Sequence, residues 1–295
     1  MAGTTVKNEQ QKNGIFSNMA NPVMRTLEKN GEYAAQNTAS YRGIVTKTVY
    51  FLLVTVAGVL LCFILHNILT GAAGANVYHF EDTERGIFDI TLTVGEGVIM
   101  GIVVLVSIIT PFIAWFVRTA VPVAGTLYCV AQGMLIGFIT VCLAPDYKFI
   151  SLLAMIITLS LVGAMLFVYA KRIITVTARF RGVITAVFAG IVLSGIIYFI
   201  LTLIPAVRNS GLFSGINTAL NNPVVSVVIG IVFVILASLF MLVDFDTIER
   251  CVENKMDKKY EWMASWGLAY TILYIYFKVL RILLIIFGNR SGSKR

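Results

Sequence analysis

The stretch PVVSVVIGIVFVILASLFMLVDFD, residues 223–246, carries no charged side chain before Asp244. A helix of about 20 apolar residues covers the roughly 30 Å hydrocarbon layer of a bilayer, so this stretch is long enough to cross a membrane. It is almost continuously apolar over 20 residues before Asp244, whereas a strand of a membrane barrel alternates over about ten residues. The stretch therefore predicts a transmembrane helix.

Six further stretches of this kind lie along the chain. The predicted spans are residues 46–69, 90–117, 121–144, 149–170, 183–204, 223–246 and 263–287. The 295 residues are 58% hydrophobic and 13% charged, which leaves too little polar surface for a water-soluble globule. We predict an all-α membrane protein with seven transmembrane helices that contacts the lipid bilayer. The net charge of +8 indicates basic cytoplasmic loops, and we expect no nucleic-acid partner.

The distribution of basic residues predicts the orientation of the bundle. If the chain begins inside and crosses seven times, 15 of its 23 Lys and Arg lie on the inner side and six on the outer side. Because basic loops stay cytoplasmic, this predicts a cytoplasmic amino terminus and a carboxyl terminus outside. Residues 1–43 are then a flexible cytoplasmic tail, residues 44–288 the bundle, and residues 289–295 a short basic tail.

Ionisable side chains inside a span are costly, by about 2.5–3.5 kcal/mol on insertion scales, so those that persist usually face protein or water. Glu96 lies near the outer end of the second span, Asp244 and Asp246 at the inner end of the sixth, and Lys278 and Arg281 in the outer half of the seventh. Glu96 and Lys278 have comparable depths, and we hypothesise a buried ion pair between them. Such a pair is either a latch between helices or part of a transport path.

The seventh span carries a polar stripe. Thr271, Tyr274, Lys278 and Arg281 stand at positions i, i+3, i+7 and i+10, which share one helical face. A helix with an inward cationic face must be surrounded by other helices or by water, so the stripe indicates a central position. The alternative is that both long side chains snorkel to the outer surface, which suits Arg281 better than the deeper Lys278.

Asp244 and Asp246 are two residues apart, about 200° around a helix, so they cannot face the same partner. Asp246 and Arg250 have the i, i+4 spacing of a surface ion pair. One interpretation of the two aspartates is an ordinary interfacial turn. The other is a carboxylate that closes the cytoplasmic end of a cavity and responds to pH.

Small residues repeat at four-residue spacing in three spans, which predicts close packing of helices without indicating a function. The repeats are Gly97 and Gly101; Gly133 and Gly137; and Ala186, Gly190 and Ser194.

No catalytic motif or metal-ligand spacing occurs: H-E-x-x-H, G-x-S-x-G and a P-loop are all missing from the sequence. The four cysteines are scattered, and we interpret them as small buried hydrophobic residues. We expect no enzyme activity, no metal and no cofactor.

Two segments, KRIITVTARFRG (171–182) and FMLVDFDTIERCVENKMDKKYEWMASWGLAYTILYIYFKVLRILL (240–284), resemble the bacterial branch of the Bax inhibitor-1 (transmembrane BAX inhibitor motif) family. NPVMRTL (21–27), VTKT (45–48) and LYCVAQGMLIG (127–137) support the resemblance, which covers nearly the whole chain. It implies six helices around a central seventh in a bacterial inner (plasma) membrane. It also implies a pH-sensitive calcium leak channel, in which aspartates on the sixth and seventh spans form a proton-operated latch.

This chain departs from the family pattern at the presumed interior. Asp246 matches the aspartate of the sixth span, but Thr271 stands at the facing position of the seventh. Lys278 and Gln132 stand where the resemblance leads us to expect acidic residues. A fixed ammonium repels a divalent cation in a lumen of low dielectric constant. If Lys278 does not plug the pathway by neutralising Glu96, it tunes the pathway toward protons, monovalent ions or anions.

Two functions follow as expectations. The first is a slow, pH-modulated ion leak with Asp244 and Asp246 at the cytoplasmic mouth. The second is a non-conducting regulatory protein of stress tolerance that binds other membrane proteins, such as quality-control proteases. Its docking surfaces would be the amino-terminal tail and the loop at residues 249–261.

Overall fold

The computed structural model describes residues 38–73, 77–81, 87–208 and 210–292. Its helices are α1 (Tyr41–Ala73), α2 (Val94–Phe116), α3 (Val121–Cys142), α4 (Phe149–Ala170), α5 (Ala178–Leu203), α6 (Pro205–Arg208), α7 (Gly211–Asn221), α8 (Pro223–Glu253) and α9 (Tyr260–Gly292). An antiparallel pair of strands, β1 (Val77–Glu81) and β2 (Asp89–Thr93), connects α1 to α2. Helices α1 to α5, α8 and α9 are the seven that are long and apolar enough to cross a membrane. The predicted fold class is confirmed.

The second span begins later than predicted. The hydropathy pattern places its start at residue 90, but residues 89–93 form β2 and the helix begins at Val94. Thr93 sets this boundary with a capping box: its hydroxyl accepts from the Glu96 amide at 3.2 Å, and the Glu96 carboxylate accepts from the Thr93 amide at 2.8 Å. Hydropathy alone does not separate the apolar strand residues Ile90 and Leu92 from the helix that follows.

Two other helices extend beyond the apolar stretches from which they were predicted. Helix α5 begins at Ala178, where Thr177 caps it by accepting from the Phe180 amide, and α8 continues through polar residues to Glu253. The short helix α7 is not among the predicted elements. The last helix runs on to Gly292, so the segment assigned to a basic tail, residues 289–295, is helical as far as that residue. Most of the assigned amino-terminal tail lies outside the described residues.

Helix α9 lies inside the bundle. It packs against α1, α3, α4 and α8, while α2 packs on α3 and α5 packs on α8. Its residue Ile275 is fully buried in one cluster with Met241 and Leu242 of α8 and Ile150 of α4. Large apolar side chains on the outer faces of the other helices are exposed instead, as a bilayer requires.

Helices α1 and α3 approach closely at one of the predicted small-residue stripes. A Cβ atom on Gly133 would overlap the Thr55 carbonyl oxygen, and one on Gly137 would lie 2.7 Å from the Cys62 Cβ. The close packing predicted for this stripe is confirmed. The prediction is wrong for Gly97, Gly101 and Gly190, because a Cβ atom on any of the three would meet nothing within 4 Å.

This difference gives a stability test. We expect Gly133→Ala to lower the free energy of unfolding by about 1–3 kcal/mol, because the added methyl group forces α1 and α3 apart. Gly101→Ala is the matched control, and it should be neutral or slightly stabilising because alanine favours the helix. Unfolding in mixed micelles by titration with a denaturing detergent measures both. Equal stability of the two variants would contradict the close approach.

Candidate functional site

The carboxyl-terminal half of α8, which the charge distribution predicts to be its inner end, carries a buried aspartate. Asp244 is 6% exposed, and the hydroxyl of Thr271 on α9 donates to its carboxylate at 2.6 Å. Thr271 is also 6% exposed, and the carbonyl of Gly267 one turn earlier lies 3.2 Å from its hydroxyl. Among the described residues, none forms a salt bridge with Asp244. This contact joins the sixth and seventh spans through a neutral donor.

Asp246, two residues later, faces a different side of α8. Arg181 at the beginning of α5 donates to its carboxylate, and Arg250 on α8 donates to the same oxygen at 3.0 Å. Arg181 is almost completely buried. The i, i+4 pair between Asp246 and Arg250 is therefore confirmed, as is the expectation that the two aspartates have different partners. Sequence reasoning missed Arg181, although it lies within the segment KRIITVTARFRG that carries the family resemblance.

A third carboxylate on α8 binds the end of α4. Glu249 accepts a hydrogen bond from the Tyr169 hydroxyl and another from Arg172 at 2.5 Å. Arg172 is exposed, and its φ of 53° places it in the left-handed region at the turn after α4. The sequence-based interpretation did not assign a role to either partner of Glu249, because the loop between α4 and α5 has no periodic pattern that predicts which helix it contacts.

A fourth carboxylate ties the beginning of α9 to the beginning of α1. Glu261 is fully buried and accepts from Lys47, from the Ser40 amide at 2.9 Å and from the Ser40 hydroxyl at 3.1 Å. Gly43 makes room for it, since a Cβ atom there would overlap the carboxylate. Ser265 adds a hydrogen bond of 2.8 Å to the Ile44 carbonyl. This cluster was also missed, since the seventh span was predicted to begin after it, at residue 263.

The structure corrects the pairing implied by the family resemblance. Thr271 was placed opposite Asp246, but it faces Asp244. The reason is helical geometry: α8 presents Asp244 to α9 and turns Asp246 about 200° away, toward α5. Asp244 is therefore the residue of α8 that meets Thr271, and Asp246 is held in an ion pair.

The hypothesised ion pair between Glu96 and Lys278 is wrong. Glu96 lies between α1 and α2, where His66 is 2.5 Å from its carboxylate and Thr93 donates to it. A cavity of about 10 Å³ adjoins this group. Comparable depth along the membrane normal did not bring Glu96 and Lys278 together, because depth does not determine the direction in which a helix presents a side chain.

Lys278 and Arg281 lie on a different side of the bundle, next to α8. The Lys278 ammonium lies 4.4 Å from the centre of the Phe233 ring and 5.1 Å from that of Tyr274. Arg281 is exposed, as the snorkelling alternative requires, and Lys278 is half-buried. The six candidate residues therefore fall into three separate groups: Asp244, Asp246 and Thr271 at the inner end, Glu96 against α1, and the two cations against the outer half of α8.

No described part of the chain brings together three or more His, Cys, Asp or Glu side chains in a group that could hold a metal ion. All four cysteines are buried thiols, as expected from the sequence. The carboxylates at the inner end differ in their partners. Asp246, Glu249 and Glu261 each pair with a cation, whereas within the described ranges the partner of Asp244 is a hydroxyl, so a proton gained or lost there changes the charge between α8 and α9.

Comparison with known proteins agrees with the architecture. A family model described as Bax inhibitor 1 like matches residues 21–288, nearly the whole chain. No curated protein and no solved structure matches the sequence. The family match covers all seven spans and the inner-end carboxylates, and we conclude that the chain belongs to the Bax inhibitor 1 like family.

Proposed function

We propose that this membrane protein supports a slow leak of small ions whose rate depends on pH, with Asp244 as the proton-responsive group. The observation that carries the proposal is the contact between Asp244 and Thr271: a buried carboxyl group, bonded to a neutral hydroxyl, at the interface of α8 and α9. The family resemblance, which matches Asp246 by sequence, implies a proton-operated latch between the same two spans. Asp246 is a positioning residue in this proposal, because Arg181 and Arg250 already neutralise it.

The link between protonation of Asp244 and ion flux follows from the free-energy cost of burying a charged carboxylate. A protonated Asp244 fits its surroundings, where Met241, Leu242 and Val243 are fully buried. An ionised Asp244 needs water or a cation, since an isolated charge in an apolar interior is strongly unfavourable. Ionisation therefore favours a looser contact between α8 and α9 that admits water. The packed arrangement described above is the closed state in this proposal.

The cations on α9 favour a monovalent or anionic permeant over calcium. Lys278 and Arg281 lie at the outer half of the same α8–α9 pair that Asp244 joins at its inner half. An ion that passes between these helices meets two positive charges, and the repulsion on a divalent ion is twice that on a monovalent one. We therefore expect calcium to pass less readily than monovalent cations or anions.

Ion flux in reconstituted liposomes tests the proposal. We expect wild-type flux to rise as the pH rises through the range in which Asp244 loses its proton. Asp244→Asn, which keeps the shape and cannot ionise, should remain low at every pH, about fivefold or more below wild type at the upper end. Asp257→Asn, in the partly exposed loop between α8 and α9, is the matched control and should behave as wild type. Parallel assays with potassium, chloride and calcium identify the permeant ion.

Flux that is absent at every pH from folded protein would overturn the leak and favour the alternative, a regulatory protein that binds other membrane proteins. One observation supports that alternative: Lys255, Lys258 and Lys259 are exposed in the loop after α8. The docking surface is smaller than the sequence suggests, because Glu249 and Glu261 at the ends of that loop are bound within the bundle.

A further inference from the structure

A second polar feature, away from the inner-end carboxylates, is a cavity of about 210 Å³ between α7, α8 and α9. Lys278, Arg281 and Ile282 of α9 line one side, and Ser226 and Phe233 of α8 line the other. Thr271 is ten residues from Arg281, about 15 Å along a helix, so the cavity lies well away from Asp244. The cavity lies in the half of the bundle that the sequence predicts to be the outer one.

Among the described residues, neither cation in this cavity has an acidic partner. No carboxylate in the described ranges lies within salt-bridge distance of Lys278 or Arg281. Lys278 contacts the faces of Phe233 and Tyr274, which hold an ammonium in place without neutralising it. Two neighbouring positive charges repel each other at the edge of an apolar bundle, so the arrangement favours an anion between them.

The surroundings of the cavity indicate where that anion comes from. Leu220 of α7, which lines the cavity, is 39% exposed, and Ile286, one turn after the lining residue Ile282 on α9, is 37% exposed. Exposed apolar side chains at this position are typical of a surface that faces acyl chains. On α7, Phe213, Ile216 and Leu220 share one helical face, as in a helix that lies in a membrane interface. The cavity is also smaller than the roughly 300–1,000 Å³ of sites that enclose a small molecule.

We propose that this cavity binds the headgroup phosphate of an anionic phospholipid, with Lys278 and Arg281 as its ligands. The acyl chains lie outside the cavity, along the exposed apolar residues next to it, Leu220 of α7 and Ile286 of α9. Lys278 is positioned by its two aromatic contacts, and the exposed Arg281 reaches the phosphate from the membrane surface. The site shares Lys278 and Arg281 with the proposed ion path but contains neither Asp244 nor Thr271, so lipid binding is testable whether or not the protein conducts ions.

Thermal unfolding of the purified full-length protein in detergent tests the site. We expect phosphatidylglycerol to raise the melting temperature in a concentration-dependent way, because a ligand that binds only the folded state stabilises it. Phosphatidylcholine, whose headgroup has no net charge, should do so much less, and inorganic phosphate should have little effect without acyl chains. The variant Lys278→Met/Arg281→Met should bind phosphatidylglycerol about thirtyfold more weakly, as expected for two cations at an anionic lipid surface.

Lys171→Met/Lys258→Met is the matched control, since both lysines are exposed at the opposite end of the bundle, and it should keep the wild-type response. If the double variant does not fold, the single variants Lys278→Gln and Arg281→Gln replace it, and each should bind phosphatidylglycerol more weakly than wild type. Equal stabilisation by phosphatidylcholine, or an unchanged response in the Lys278 and Arg281 variants, would overturn the proposal. Stabilisation by inorganic phosphate equal to that by phosphatidylglycerol would overturn the lipid assignment and identify a site for free anions.

Discussion

Replacement of Arg181 by methionine is expected to lower the free energy of unfolding by about 3–5 kcal/mol, the typical cost of removing one partner of a buried ion pair. The Arg181 side chain is 2% exposed and pairs with Asp246, whose side chain is 13% exposed. Without Arg181, the partner that the Asp246 carboxylate keeps among the described residues is Arg250, a neighbour on its own helix whose side chain is about one-third exposed. The expected result is a large destabilisation at the junction of α5 and α8.

The location of this pair explains why the effect should be large. Only 6% of the apolar stretch within α5 is buried inside the bundle, so this helix has little packing to hold it in place. Apart from Ile184 and Phe180, which pack near Val243 of α8, its inner end is held by the Arg181–Asp246 pair. We expect Arg181→Met to detach α5 before the remaining helices unfold. Limited proteolysis in the loop between α4 and α5 would report this as faster cleavage.

Two further variants make the test specific. Arg179→Met removes an exposed cation two residues away and should leave both stability and proteolysis unchanged. Arg181→Met combined with Asp246→Leu removes both charges and should recover most of the lost stability, because a buried pair exchanged for apolar residues is often nearly neutral. If Arg181→Met is as stable as Arg179→Met, the ion pair does not hold α5.

The sequence predicts the spans of this protein well because the bilayer imposes a length and a composition on each. It also predicts relations within one helix: the Asp246–Arg250 pair, and the opposite directions of Asp244 and Asp246, both follow from 3.6 residues per turn. The family resemblance correctly indicated that the sixth and seventh spans meet at an aspartate. It paired Thr271 with Asp246, whereas Thr271 contacts Asp244, because the position in a motif does not specify which face of α8 meets α9.

Contacts between different helices could not be predicted from these patterns of hydropathy and residue spacing. Glu96 and Lys278 have similar depths, yet one faces α1 and the other faces α8. Gly101 and Gly133 carry the same small-residue spacing, yet only Gly133 meets another backbone. In both cases the missing information is the rotation of each helix about its axis, which depends on all of its neighbours. Arg181 and Glu261 were missed for a related reason, since each lies just before the apolar run that defines its span.

Glu261→Gln is the second variant from which we expect a loss of about 3–5 kcal/mol. The Glu261 side chain is 1% exposed, and its charge is balanced by Lys47, whose side chain is 15% exposed. Glutamine keeps the size of the side chain but leaves the Lys47 ammonium without its counter-charge. It also places an amide group among donors, because the Ser40 amide and the Ser40 hydroxyl both point at the carboxylate. The beginnings of α1 and α9 should therefore separate.

A double-mutant cycle with Lys47→Met isolates the ion pair from the other contacts of Glu261. We expect the double variant to be less destabilised than the sum of the single variants, by about 0.5–3 kcal/mol, as for directly interacting groups. Glu253→Gln, an exposed glutamate at the end of α8, is the control and should have little effect. Strict additivity of Lys47→Met and Glu261→Gln would mean that Glu261 stabilises the bundle through Ser40 alone. The measured coupling therefore decides whether charge or hydrogen bonding holds the first and last spans together.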